Sequence, residues 1–129
     1  MVNAYDNTIL YTDHFLAQAI DWMRTHDAAS ATALVYLSDH GESLGENNLY
    51  LHGLPYRMAP DVQKRVPWVT WLSPRFEQQS GVTVACLKAK ADERASHDHY
   101  FHTALGLLGV QTQVYRPQLD LSASCRAAG

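Results

Sequence analysis

Apolar residues recur at three- and four-residue spacings from about Asp6 to His26. Ile9, Leu10, Leu16, Ala19, Ile20 and Met23 fall on one stripe, which predicts a helix. Asp6 or Asn7 offers a cap at its start, and Thr25-His26-Asp27 a stop. From Thr32 to Ser38 the helical period gives way to a nearly continuous apolar run, TALVYLS, with β-branched members. Such a run predicts a strand buried on both faces, as in the middle of a mainly parallel sheet. A helix followed by a buried strand is half of an α/β repeat, so the expected fold class is α/β, a mainly parallel sheet flanked by helices.

Past this strand the pattern dissolves. Asp39 to Ala59 is polar and broken by Gly41, Gly45, Gly53 and Pro55. A loop of that length in a compact domain is usually functional or disordered. Here it leaves the end of a buried strand, where open α/β sheets bind their ligands, so the functional reading is preferred. Val66 to Leu72 predicts a second strand, with Pro67 near its start, where the missing N–H is tolerated. By parity Trp68 and Trp71 lie on opposite faces and read as core. Pro74 to Ala95 fits no single pattern, with Gly81 in a turn and a short helix at Cys86 to Lys90. Ser96 then predicts a cap for a helix from Asp98 to Leu108, closed by Gly109. The tail reads as short helix and coil.

Composition narrows the function classes. The chain has 129 residues, 47% hydrophobic and 18% charged, enough for a real core. A formal charge of -3 with scattered Lys and Arg excludes a broad nucleic-acid surface. No apolar run approaches the roughly 20 residues that cross a bilayer. Met1 to Asp6 has neither a basic nor an apolar leader region, so no export signal is expected. The two cysteines, Cys86 and Cys125, are either buried thiols or one bridge closing a loop of about 40 residues, worth about 3–4 kcal/mol. Redox compartment decides between them.

The chemistry concentrates at Ser38-Asp39-His40-Gly41-Glu42-Ser43. Adjacent Asp and His at a strand end can both turn toward one cation. A carboxylate and a neutral imidazole are natural zinc ligands, and Gly41 lets the backbone turn away. A lone Asp-His pair is more often a loop cap beside a packed ring. Glu42 and Glu46 are candidates to accept the second N–H of a metal-bound histidine, or else are solvated carboxylates. Asn47 and Asn48 read as turn residues. His97, His99 and His102 read as polar positions of a structural helix rather than a metal cluster.

The surroundings of the Asp-His pair add a family. Asp39 to Tyr56, DHGESLGENNLYLHGLPY, resembles the lipid A phosphoethanolamine transferases, which include mobile colistin-resistance enzymes. The resemblance continues through APDVQKRVPWVTWLS (Ala59 to Ser73), SHDHYFHTALGLLGV (Ser96 to Val110) and YDNTILYTD (Tyr5 to Asp13), covering nearly the whole chain. It implies a sandwich related to alkaline phosphatase and the sulfatases, of which residues 1–129 would be the C-terminal part of the catalytic domain. It also implies zinc at Asp39 and His40, with His52 serving a second zinc or the phosphate group. The implied reaction moves phosphoethanolamine from phosphatidylethanolamine to lipid A or the lipopolysaccharide core through a zinc-activated threonine. That threonine matches no position here: Thr8, Thr12, Thr25 and Thr32 stand in the wrong context. The upstream half and the membrane domain are likewise unmatched, so the chain alone is expected to be inactive.

The resemblance further implies the periplasmic face of the inner membrane, a role in polymyxin resistance, and a Cys86–Cys125 bridge. Two other readings stand beside it: a sulfatase-like hydrolase fragment, against which HGLPY after DHGESLGEN argues, and a non-catalytic zinc-binding module. An incomplete sheet would leave an open edge for self-association.

Overall fold

The computed structural model describes residues 2–126. Its elements are α1 (Val2–His26), β1 (Ala33–Leu37), β2 (Ser43–Leu44), β3 (Tyr50–Leu51), α2 (Asp61–Lys64), β4 (Trp68–Leu72), α3 (Pro74–Ser80), α4 (Val84–Ala89) and α5 (Asp98–Leu107), with three short 3-10 turns. Helices and strands are mixed along the chain, as in the α/β class. None of the described helices is long and apolar enough to cross a membrane.

Helix α1 begins before Asp6 and Asn7, which therefore lie inside it and cap nothing. It stops at His26 as expected, with Arg24 and His26 in the last turn, where positive charge suits the helix dipole. The predicted stripe is present, but none of its residues is buried: Ile9 and Leu10 are 52% and 66% exposed. Periodicity thus fixes the helix and says nothing about what covers it.

Strand β1 neighbours β4 in a two-stranded sheet, and all five of its residues are half-buried rather than sealed on both faces. A strand in mid-sheet is closed by a neighbour on each side; β1 has one among the described residues. Trp68 and Trp71 are half-buried for the same reason.

The chain divides into two compact units, described separately below. The first holds α1 as far as Trp22, together with Tyr36–Val69. Here the predicted long loop carries the antiparallel hairpin β2–β3, with Ser43 opposite Leu51 and Leu44 opposite Tyr50. Two-residue strands are too short to show a period, so the sequence reads as loop. Asn47 and Asn48 have φ of 54° and 59°, a backbone region that short polar side chains tolerate, which agrees with their reading as turn residues. Leu51, at φ 63°, has no such excuse and is strained.

The second unit holds Met23–Val35 and the chain from Thr70 onward. Helix α3 was not legible in the sequence. It forms because Ser73 caps it, accepting the Phe76 N–H at 3.1 Å, and Pro74 occupies its first turn. Thr83 caps α4, which therefore starts two residues earlier than expected. The cap position of α5 is His97, one residue past Ser96. Gly109 closes that helix with φ 66°. Leu72, Val82, Leu107 and Cys125 form the core of this unit, with Val35, Phe76 and Leu87 packed against it.

Cys86 and Cys125 are joined by a disulfide, with Cα atoms 5.5 Å apart. Beside it Asp120, whose side chain is fully buried, accepts hydrogen bonds from the Tyr115 hydroxyl at 2.6 Å and the Ser122 N–H at 2.8 Å. Arg126 pairs with the same carboxylate at 3.2 Å. A Cβ on Gly106 of α5 would strike the Asp120 carboxylate, so the helix meets this network only as glycine.

Burial first, then the hydrogen bond to Asp120 and that carboxylate's charge, raise the Tyr115 phenol above its ordinary 10.0, against a smaller opposing effect of Arg126. The unfolded chain therefore loses this proton first. Below about pH 10 the contribution to stability is fully present, and it is lost as pH rises through the raised value. Urea midpoints measured from about pH 9 upward should fall less steeply in Tyr115→Phe than in the parent.

Candidate metal centre

The first unit assembles its candidate site from the end of β1 and the hairpin that follows. His40, Glu42 and His52 each present one ligand atom, and these atoms lie within 4.8 Å of one another. The spacing in sequence hides this. The β2–β3 pairing folds the chain back, so residues ten apart meet: Glu42 Oε1 accepts the His52 Nδ1–H at 2.7 Å. The His40 and His52 rings lie with centroids 3.8 Å apart, tilted by 32°.

Partners fix the tautomers. His40 Nδ1 stands 3.1 Å from the Gly41 carbonyl, which can only accept, so Nδ1 carries the proton. His52 Nδ1 faces a carboxylate and is likewise the donor. In the neutral form of each ring, Nε2 then keeps a lone pair. Asp39 Oδ2 lies 3.6 Å from His40 Nε2, a contact that a proton on Nε2 or a shared cation would make favourable. Glu42 Oε2 is buried and bonded to nothing. Two imidazole lone pairs, an orphaned carboxylate oxygen and a second carboxylate alongside are the donor set a zinc ion takes, so these residues fit the metal.

Of the residues singled out from sequence, His40, Glu42 and His52 converge. Asp39 stands at the rim, its side chain 88% exposed, with Oδ1 accepting the His40 N–H at 3.1 Å. Glu46 goes elsewhere. Its Oε2 accepts the Leu44 N–H at 2.7 Å, and bonds from its own N–H and that of Leu44 hold its carboxyl below the ordinary 4.5. It serves the hairpin turn.

The late histidines do not join the group. His102 is buried, its Nδ1 accepting the Arg116 N–H at 3.2 Å, while His99 Nδ1 accepts the Ser96 N–H at 3.1 Å. They hold the start of α5 and the chain beyond it. Thr8 and Thr12 give their hydroxyl protons to the Tyr5 and Thr8 carbonyls of α1.

Gly41 matters for close approach. It is buried, its N–H donates to the Gln63 carbonyl at 3.0 Å, and a Cβ there would run into the Val62 carbonyl. The main chain between His40 and Glu42 thus lies directly on α2. Gly41→Ala should cost about 1–3 kcal/mol by overpacking, read as a lower urea midpoint, and should displace His40 from Glu42 and His52.

Comparison with known proteins gives the family. A family model described as Sulfatase matches residues 1–110. The chain is 50% identical over 127 residues to the phosphoethanolamine transferase EptA of Salmonella typhimurium, covering 98% of this chain and 23% of that protein. The soluble domain of lipooligosaccharide phosphoethanolamine transferase A from Neisseria meningitidis superposes with a TM-score of 0.93 at 47% identity, over 99% of this chain and 39% of that one. The C-terminal periplasmic domain of phosphoethanolamine transferase EptC from Campylobacter jejuni does so with a TM-score of 0.85 at 39% identity, over all of this chain and 40% of that one. The chain therefore spans about a quarter of the length of the EptA relative. It belongs to the sulfatase family, and within that family its relatives are phosphoethanolamine transferases.

Proposed function

We propose that this chain supplies the strand-end metal-binding part of a phosphoethanolamine transferase active site, and that it forms the C-terminal part of that enzyme's catalytic domain. The observation that carries the reading is the convergence of His40, Glu42 and His52 within the string that resembles the transferases. The reaction is transfer of phosphoethanolamine from phosphatidylethanolamine to lipid A or the lipopolysaccharide core. The exposed stripe of α1 suits a segment that packs against more of its own domain.

Each residue has a part in that chemistry. His40 and His52 offer Nε2 to the metal, and Glu42 fixes the His52 ring through Nδ1 while keeping Oε2 for the metal. Asp39 adds a carboxylate at the open side. Zinc held there would supply positive charge to stabilise an attacking alkoxide and the phosphoryl oxygens. The attacking hydroxyl is read as coming from outside this chain, because the transferases' threonine matches no position in this sequence. The disulfide fits an oxidising compartment such as the periplasm.

The reading is tested by grafting residues 1–129 into the Neisseria meningitidis enzyme in place of the matched segment. Transfer of phosphoethanolamine to lipid A, followed by mass spectrometry, should be retained by the graft and undetectable for the chain alone. A stable, zinc-loaded graft without transfer would contradict the proposal, and so would turnover by the free chain.

A further inference from the structure

We propose that Gln63 of α2 is a positioning residue that holds Glu42 and His52 at bonding distance. Its functional consequence rests on the metal-centre reading above, but the positioning itself does not. Gln63 is 7% exposed, and its one amide nitrogen serves both strands of the hairpin. It donates to Ser43 Oγ at 2.8 Å and to the Leu51 carbonyl at 3.0 Å. Its main-chain carbonyl accepts the Gly41 N–H at 3.0 Å. Gly41 and Ser43 flank Glu42, and Leu51 precedes His52. A single buried side chain is thus bonded next to each member of the Glu42–His52 pair.

The bond to Leu51 has a task beyond pairing. Leu51 sits at φ 63°, a region that costs a γ-branched side chain energy, and it is 63% exposed, so packing does not hold it there. The Leu51 carbonyl is fixed by the Gln63 amide, and its direction sets where the next residue, His52, points. Without that bond Leu51 would relax toward the extended region and swing the ring away from Glu42. Ser43, 1% exposed, would at the same time lose a bonded partner for its hydroxyl.

The test is ring nitrogen NMR of His52 in the 15N-labelled full chain at about pH 8.5, where free imidazole is neutral. Wild type should show a protonated Nδ1, opposite to the tautomer that free histidine prefers. Gln63→Leu, and Gln63→Glu of the same shape but without the donor, should both revert toward protonated Nε2. Zinc affinity should then drop about tenfold or more, as for loss of an outer partner of a metal ligand. Adding Leu51→Gly to Gln63→Leu should restore most of the Nδ1–H signal, because glycine takes the positive φ without strain. This rescue separates positioning from a general loss of folding.

A wild-type His52 without Nδ1–H, or variants that keep it, would overturn the proposal. Absence of rescue by Leu51→Gly would do the same. A wild type that shows Nδ1–H and the expected losses yet takes up no zinc would leave Gln63 in its role and sink the metal reading instead.

Discussion

Reduction of the Cys86–Cys125 disulfide, or the Cys86→Ser/Cys125→Ser pair, should lower stability by about 4 kcal/mol in the chain-entropy model. The bridge spans a sequence separation of 39, linking α4 to the last 3-10 turn, Ala123–Cys125. Everything between, including α5, Tyr115, Asp120 and Ser122, lies inside the closed loop. Cys125 is also one of four residues in the core of the second unit, so opening the bridge leaves a polar or thiol group where apolar contact was. Urea unfolding with and without reductant measures the effect, and for a domain this small a loss of that size is a large fraction of total stability. A midpoint indifferent to reductant would show that the Lys90–Ser124 and Arg126–Asp120 contacts pin the tail without it.

His40→Ala in the grafted transferase should reduce phosphoethanolamine transfer by more than about a hundredfold, the upper end of what even an outer-shell loss costs a metal site. His40 stands at the meeting point of the site. Its ring lies tilted against that of His52 and its Nε2 faces Asp39 Oδ2, so its removal would take away a proposed ligand beside the carboxylates of Asp39 and Glu42. The rate constant and zinc content should fall together, and the protein should still melt cooperatively, because His40 lies outside the core of the second unit. A variant with full zinc and unchanged transfer would place the metal elsewhere.

Much of this was legible in the sequence for physical reasons. A continuous apolar run gives β1, and an apolar period with a terminal glycine gives α5. The string around Asp39 and His40 gives the family and points to the strand-end candidate site. Other features depend on contacts with no local signature. Helix α3 opens with Pro-Arg-Phe, in a stretch that fits no single pattern until Ser73 is seen capping it. The hairpin hides in the loop because its strands are two residues long. Glu42 and Glu46 are equivalent on paper, and only the hairpin register sends one to His52 and the other to the Leu44 N–H. Gln63 carries no motif at all. The stripe of α1 shows the converse limit, an apolar period whose covering surface is not among the described residues.

His40, Glu42 and His52 are proposed to form a zinc site. The decisive measurement is calorimetric titration of zinc into the metal-stripped chain, alongside His40→Ala, Glu42→Ala and His52→Ala. Saturable binding near one zinc per chain, weakened by at least about tenfold in each variant, is the predicted result. Binding of the same strength in all four proteins, or none in the parent, would contradict it.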